Sequence, residues 1–358
     1  MDKLRINVIL PFPATKPVGG AKIMYEYANR LTDRGHEVTI YHSIKRPFKK
    51  SSTPTWFKKL IFTLRGVERP KWFPLKSNIR SLIVPSITDK YVQDADIVIS
   101  TWWQMTYAVS ELSASKGKKF NLIQGHEVWS GQEDAVHASY LLPVQHLVIA
   151  RYLFDLFKEK TNGKEPKLLP LAISDTEFRI EQTIEGRRKG SIIMLYSDEY
   201  WKGSRYGIDA LLLAHEKFPG LQVQLFGVPA APAGLPEWMH YTQKPDNLRE
   251  LYNQAAIFIS PSLREGWALP PAEAMACGCA VVCTRIGGHL DYAVDGHSAL
   301  LVEKENPGQL AEKILELIGD DDRRKEIAEN GNRLIRQEFS WESSVNRLED
   351  CFRKALEK

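Results

Sequence analysis

The sequence predicts an α/β protein made of two doubly wound parallel-sheet domains. Three observations predict it. The length, 358 residues, exceeds what one hydrophobic core usually holds. Short apolar runs alternate with helical periods along nearly the whole chain. A charged stretch without hydrophobic period lies near the middle, and the alternation restarts after it. Hydrophobic residues make up 43% and charged residues 26%, the balance of an ordinary globular chain. No run of about 18 apolar residues occurs, so no membrane-spanning helix is expected. The first residues lead straight into an apolar run without a signal-peptide core, and a cytoplasmic location is expected.

In the first half, strands are expected at 5–10, 37–41, 79–84, 97–100, 120–123, 147–149 and 168–169. Helices fill the gaps, notably 22–34 and 103–116. Strands covered on both faces should read as continuous Val/Ile/Leu-rich runs, and these do. Residues 176–190, with Glu185-Gly186-Arg187-Arg188-Lys189-Gly190, suit an inter-domain linker. Strands then resume at 192–195, 222–226, 256–259, 280–282 and 299–301, with helices at 206–217, 248–253, 272–277 and 309–317. The last stretch is an amphipathic helix with Val345, Leu348, Cys351, Phe352 and Leu356 on one face. The expected domains are therefore 1–175 and 176–340, followed by a terminal helix over 341–358.

Cys277, Cys279, Cys283 and Cys351 fit a reducing compartment. Cys277-Gly278-Cys279 has no histidine or further sulfur at zinc-finger spacing, so core packing is expected there and no metal.

The densest chemistry lies in Ser260-Pro261-Ser262-Leu263-Arg264-Glu265-Gly266-Trp267-Ala268-Leu269-Pro270-Pro271-Ala272-Glu273. Pro270 and Pro271 suit the first turn of a helix, where a missing N–H costs nothing. The amides of Gly266, Trp267, Ala268 and Leu269 then fall between a strand's carboxyl end and a helix N-terminus, a cradle for a diphosphate. Glu265 on the loop and Glu273 on the helix's first turn can both accept sugar hydroxyls, which points to a sugar nucleotide. The plainer alternative makes Glu265 a solvated loop charge and Glu273 a partner of the helix dipole. Gly19-Gly20, at another strand-to-helix junction, lets backbone approach a phosphate or sugar closely. Parallel sheets bind ligands at their carboxyl ends, and each of these motifs directly follows an expected strand.

The Glu-x7-Glu phrase with its glycine, prolines and small-residue helix resembles the retaining glycosyltransferases of family 4. The resemblance implies the GT-B fold: two facing Rossmann-like domains with an interdomain cleft, and a terminal helix crossing back to the first domain. It implies a metal-independent enzyme, without cofactor, that moves a sugar from a nucleoside-diphosphate sugar to a glycan or lipid-linked acceptor. It places His126 over the transferred sugar, and Lys202 on the donor diphosphate as a charge-assisted contact. Glu265 would orient the sugar and Glu273 would hold the ribose. Gly19 and Gly20 would face the distal phosphate, while Gly227 and Thr242 would hold the nucleobase. The chain departs from the family at Ser197, where an arginine is usual. That leaves Arg205 as a substitute cation, or a weakly active or partner-dependent subunit as an alternative. A glycoside hydrolase using Glu265 and Glu273 as acid and base is a further rival, but it leaves Lys202 without purpose.

Residues 45–80 carry eleven Lys or Arg against one acid, a local +10 in a chain of +4, so the remainder is −6. Within this segment Trp56, Phe57, Leu60 and Ile61 share a helical face, with Lys58 and Lys59 off it and Lys49 and Lys50 just upstream. Together with Trp72 and Phe73 this is an interfacial profile, suited to an anionic membrane surface. The alternative is an insertion that packs on its own domain. Nucleic acid is not expected, because no recognition fold accompanies the charge.

Overall fold

The computed structural model describes residues 3–49, 53–128 and 131–357. The chain divides into two compact units, Met1–Pro170 with Ser344–Lys358, and Leu171–Ser343.

In the first unit, seven parallel strands form one sheet: β1 (Arg5–Leu10), β2 (Glu37–Ser43), β3 (Arg80–Val84), β4 (Ile97–Thr101), β5 (Lys118–Ile123), β6 (Gln145–Val148) and β7 (Lys167–Leu168). Their order is β3-β2-β1-β4-β5-β6-β7, so the winding reverses between β1 and β4. The register sets Ile6 beside Val38 on one side and Ile97 on the other. The helices of this unit are α1 (Gly19–Asp33), α2 (Thr55–Leu64), α3 (Trp103–Ser110), α4 (Glu133–Ser139) and α5 (Arg151–Lys160).

The second unit holds β8 (Ser191–Tyr196), β9 (Gln222–Gly227), β10 (Met239–Gln243), β11 (Ile257–Ser260), β12 (Ala280–Thr284) and β13 (Leu300–Val302). All are parallel, in the order β10-β9-β8-β11-β12-β13, with the reversal between β8 and β11. Around them lie α6 (Ser204–Lys217), α7 (Leu248–Gln254), α8 (Leu269–Ala276), α9 (Pro307–Gly319) and α10 (Asp321–Glu338). Ile192, Met194, Leu225, Ile257 and Val282 form the heart of its core with Leu211 of α6 and Ile314 of α9.

Two boundaries differ from the sequence reading. The division falls after Pro170, because Ile173 already belongs to the second unit: its amide donates to the Phe339 carbonyl at 2.9 Å. Residues 176–190 are not a free linker. Phe178 and Ile184 are buried, and the buried Arg187 donates to the Ala255 carbonyl at 3.0 Å and to the Cys277 carbonyl. A guanidinium whose two terminal nitrogens donate to carbonyls is tolerated inside where a bare charge is not. Cys277, Cys279 and Cys283 are buried in this core, which pushes their thiols above the ordinary range.

The last helix, α11 (Trp341–Leu356), has its residues from Ser344 onward in the first unit. Ser344 meets the Tyr27 hydroxyl at 2.6 Å, and Phe352 sets its ring edge-on to Phe120 at 5.0 Å. The buried Glu349 accepts from Arg34 at 2.5 Å and faces Nε2 of His36 at 2.8 Å. A carboxylate with two such partners is a compensated buried charge rather than an orphan.

Candidate functional site

Three loops meet at the carboxyl edge of the second sheet, where its winding reverses. They follow β8, β11 and β12, the arrangement that leaves a binding crevice in open α/β sheets. The loop after β8 ends in a 3-10 turn, Tyr200–Lys202, closed by Gly203 with φ +64°. A Cβ at Gly203 would lie 2.1 Å from the Pro261 carbonyl oxygen, so only glycine permits this approach. The Leu263 amide donates to the Trp201 carbonyl at 2.7 Å, tying the first two loops together.

That junction brings Lys202 and Glu265 together. Lys202 Nζ lies 2.8 and 3.0 Å from the two carboxylate oxygens, and the Ser262 hydroxyl donates to Oε1 at 2.8 Å. The side chains are 24% and 12% exposed, so the pair is partly desolvated yet open to a ligand. The third loop supports it from behind. A Cβ at Gly288 would sit 2.6 Å from that of Glu265, and His289 Nδ1 lies 2.8 Å from the Thr284 carbonyl. Burial holds the His289 imidazole below its ordinary pKa, so it sits there as a neutral strut. Sequence reasoning gave Ser262 and His289 no role and read Gly287-Gly288 only as a further Gly-Gly turn after a strand. That Gly288 is needed for close packing against the Glu265 loop leaves no local pattern.

The Glu-x7-Glu phrase differs in detail from its sequence reading. α8 begins at Leu269, so Glu273 sits in the second turn and not in the first. Glu273 is only 6% exposed and accepts from the Tyr252 hydroxyl at 3.2 Å. Burial and the Glu273 charge push the Tyr252 phenol well above its ordinary pKa, which keeps it a donor. Of the four expected cradle amides, Ala268 is committed: it donates to the Gly288 carbonyl at 3.1 Å. The cradle is thus Gly266, Trp267 and Leu269 at most. Trp267 is buried against Tyr292 and Phe339, and its indole nitrogen has no hydrogen-bond partner among the described residues.

Gly227 ends β9, with room for a Cβ denied by the Tyr196 carbonyl at 2.2 Å. Thr242 on β10 accepts from Gln224 at 3.0 Å, so its hydroxyl is already engaged. Ser197 caps its own loop, accepting from the Glu199 amide at 3.2 Å. Arg205, the candidate substitute cation, is 85% exposed and 3.9 Å from Asp209.

In the first unit, Gly19 and Gly20 open α1, three residues earlier than the sequence period indicates. A Cβ at Gly19 would meet nothing within 4 Å, so the protein's own packing does not require glycine there. His126 follows β5, and its Nε2 faces Nε2 of His137 at 3.1 Å. The rings are 10° from parallel with centres 5.4 Å apart, close to that gap plus one ring radius on each side. The nitrogens therefore point at one another in line, as donor and acceptor. With Glu133 they are the group of three metal-ligating side chains found among the described residues. Ligands of a tetrahedral ion point at a common centre, whereas these two nitrogens point at each other. In this arrangement the pair is a hydrogen bond. Glu127, next in sequence, is 8% exposed and accepts from the Trp103 amide at 2.7 Å.

The basic segment splits. On α2, Trp56 is 70% and Leu64 78% exposed, with Phe57 and Leu60 also exposed and no residue of the helix buried. Ile61 and Lys58 are half-buried, while Lys59 and Lys49 are exposed. Lys50 lies outside the described residues. Trp72 and Phe73, in contrast, turn inward: the Trp72 indole donates to the Ala14 carbonyl at 2.7 Å, and both rings pack on Tyr25. Phe73 is buried and Trp72 half-buried, so both leave the interfacial profile. No helix among the described residues is long and apolar enough to cross a membrane.

Residues 183–334 match the family described as Glycosyl transferases group 1. An uncharacterized glycosyltransferase of Methanocaldococcus jannaschii is 40% identical over 100 residues, which is 28% of each chain. The matched stretch thus spans little more than a quarter of that relative. A D-inositol 3-phosphate glycosyltransferase of Acidothermus cellulolyticus is 27% identical, across 97% of this chain and 88% of its own. Among solved structures, HepE of Anabaena in complex with UDP and glucose superposes with a TM-score of 0.75 at 15% identity, covering 98% of this chain and all of its own. At that identity the likeness shows the fold, GT-B.

Proposed function

We propose, for a chain whose second unit belongs to the glycosyl transferases group 1, that the protein is a retaining glycosyltransferase that takes a nucleoside-diphosphate sugar and needs no metal ion. The observation that carries this reading is the Lys202–Glu265–Ser262 cluster at the winding reversal of the second sheet. A lysine held there by a carboxylate is a cation ready to exchange partners when a diphosphate arrives. As the bond from the sugar's anomeric carbon to the phosphate oxygen breaks, the electron pair goes to the phosphate. Lys202 and the amides before α8 stabilise that charge. Glu265, released from Lys202, accepts a sugar hydroxyl and favours the cationic sugar. The acceptor hydroxyl attacks from the leaving-group face, and its proton passes to the departing phosphate. Glu273, held by Tyr252, is the ribose ligand, with Gly227 and the backbone near Thr242 along the base. Gly19 and Gly20, whose Cβ space is free of protein at Gly19, admit the distal phosphate or the acceptor.

Thermal shift tests the donor site. A nucleoside diphosphate at 100 times its Kd stabilises by about 2.7 kcal/mol, or roughly 5–10 °C for a unit of this size. Glu273→Gln is expected to weaken that binding at least tenfold. If no nucleoside diphosphate moves the transition, the reading fails.

The acceptor in this reading is a glycan or lipid-linked glycan, as in cell-surface polysaccharide synthesis, met at an anionic membrane surface. The exposed Trp56, Phe57, Leu60 and Leu64 on α2, with Lys49 and Lys59 beside them, support it. Each basic residue near such a surface contributes about 1 kcal/mol. Changing Lys49, Lys58 and Lys59 together to glutamate is therefore expected to weaken sedimentation with phosphatidylserine vesicles by more than about 100-fold. Undiminished binding would show that α2 is not the contact.

A further inference from the structure

The turn that carries Lys202 is held from two sides. On one side the Trp201 carbonyl accepts from the Leu263 amide at 2.7 Å, and the Arg264 guanidinium lies 5.7 Å from the centre of the Trp201 ring. Both partners belong to the loop of Glu265. On the other side stands Tyr200, whose hydroxyl donates to Glu305 Oε1 at 2.7 Å. Tyr206, in the first turn of α6, donates to the same oxygen at 2.7 Å. Glu305 lies between β13 and α9, and β11 and β12 separate β13 from β8 in the sheet. The two loops still meet, because α6 and α9 share one core through Leu211 and Ile314 and bring Tyr206 and Glu305 together at their amino ends.

The backbone marks this contact as a built one. Glu305 has φ +57°, a left-handed conformation that is unfavourable for a residue with a side chain. Such strain persists where the surroundings over-determine it, and here two phenols hold the one carboxylate. Tyr200 is 71% exposed, so burial does not account for its position. Its hydroxyl does. Hydrogen bonds from Tyr206 and then Tyr200 keep the Glu305 carboxyl below its ordinary range, and the same bond raises the Tyr206 phenol. The acceptor therefore stays charged and Tyr206 stays a donor through neutral pH.

We infer that Glu305 and Tyr200 are positioning residues for Lys202: the anchored phenol fixes the 3-10 turn so that Nζ stands where the charge of the leaving diphosphate develops. The inference rests on the glycosyltransferase reading and adds residues that act through Lys202 rather than on the substrate. With the Trp201 attachment alone, the turn is held on one side and the ammonium samples more space. A group that stabilises developing charge works by being in place beforehand.

The test compares Tyr200→Phe, Glu305→Gln, Glu305→Ala and Glu305→Gly in the full chain, with Tyr200→Phe also placed in a Lys202→Ala background. Hydrogen exchange reads the turn itself, since the Lys202 amide donates to the Glu199 carbonyl at 2.9 Å and the Gly203 amide to the Tyr200 carbonyl at 3.1 Å. Both amides should exchange roughly fivefold faster in Tyr200→Phe, Glu305→Ala and Glu305→Gly, with Leu211 in α6 unchanged. Turnover of UDP-glucose or GDP-mannose, with water as acceptor, reads the chemistry. In the same three variants kcat should fall about tenfold while the donor KM stays within about threefold. Glu305→Gln keeps an oxygen for the phenols and should recover most of that loss. Tyr200→Phe should add nothing to Lys202→Ala. Glycine relieves the left-handed strain and alanine does not, so Glu305→Gly should be the more stable of the two yet equally slow. Unchanged exchange at Lys202 and Gly203, full turnover in Tyr200→Phe, or turnover restored by Glu305→Gly together with stability overturns the inference. UDP and GDP are titrated into the wild type by thermal shift. A shift with either one, alongside unchanged exchange, overturns the anchor alone, while no shift with any nucleoside diphosphate overturns the transferase reading.

Discussion

Lys202→Ala is expected to lower sugar transfer by roughly 10²–10³-fold, the cost of removing one preorganised group from a developing oxyanion. The loss should appear in kcat, because the leaving diphosphate gains its charge in the transition state. Lys202 also holds Glu265, with both carboxylate oxygens within 3.0 Å of Nζ. Its removal leaves the Ser262 hydroxyl donating to that carboxylate within the cluster. The two residues therefore act as a unit, and a double-mutant cycle separates their parts. Glu265→Gln frees Lys202 from its internal partner, so nucleoside-diphosphate affinity should rise while transfer falls. The double variant should be no slower than the slower single one. Affinity for the bare nucleoside, which lacks phosphate, should stay within threefold in every variant and so reports intact folding. Transfer by Lys202→Ala at near wild-type rate would remove the lysine from the mechanism.

Much of the second sheet is legible in sequence because its strands are buried on both faces. Ile257–Ser260 and Ala280–Thr284 are fully buried and read as plain apolar runs. β10 is missed for the opposite reason. Met239–Gln243 is an edge strand with a single fully buried residue, and its polar side chains give neither a run nor an alternation. α10 is missed because its inward stripe is carried partly by residues that do not look apolar. Arg324 is fully buried, and Gly331 is buried so tightly that a Cβ would reach 3.0 Å from the Ser298 carbonyl.

The candidate site was legible as positions and not as partners. Strand ends, glycines and prolines mark where loops converge, since those residue types answer to backbone geometry. The partner of each side chain is set by tertiary approach. Nothing in the local pattern links Lys202 to Glu265, Glu273 to Tyr252 or His126 to His137. Trp72 and Phe73 show the limit of composition: aromatic residues within a basic segment read as interfacial until packing on Tyr25 shows them to turn inward.

Glu127→Gln is expected to stabilise the first unit at pH 8 and to leave it nearly unchanged at pH 4. Burial pushes the Glu127 carboxyl up from 4.5 to about 7, against the opposing hydrogen bond from the Trp103 amide. Nearby Tyr140, itself raised by burial and then by the Glu127 charge, offers no compensating cation. Between pH 4.5 and 7 the folded protein keeps a proton that the unfolded chain has released. Stability from this group is thus complete below about pH 4.5 and drains away as pH rises to about 7. Above that, the buried carboxylate costs about 3 kcal/mol, at 1.36 kcal/mol per pH unit. Glutamine keeps the oxygen that accepts from Trp103 and carries no charge to desolvate. Amide exchange of the β4 and β5 backbone at the two pH values measures the difference within this unit alone. An equal gain at both would mean that folding does not shift the Glu127 pKa, and that burial is not what governs it.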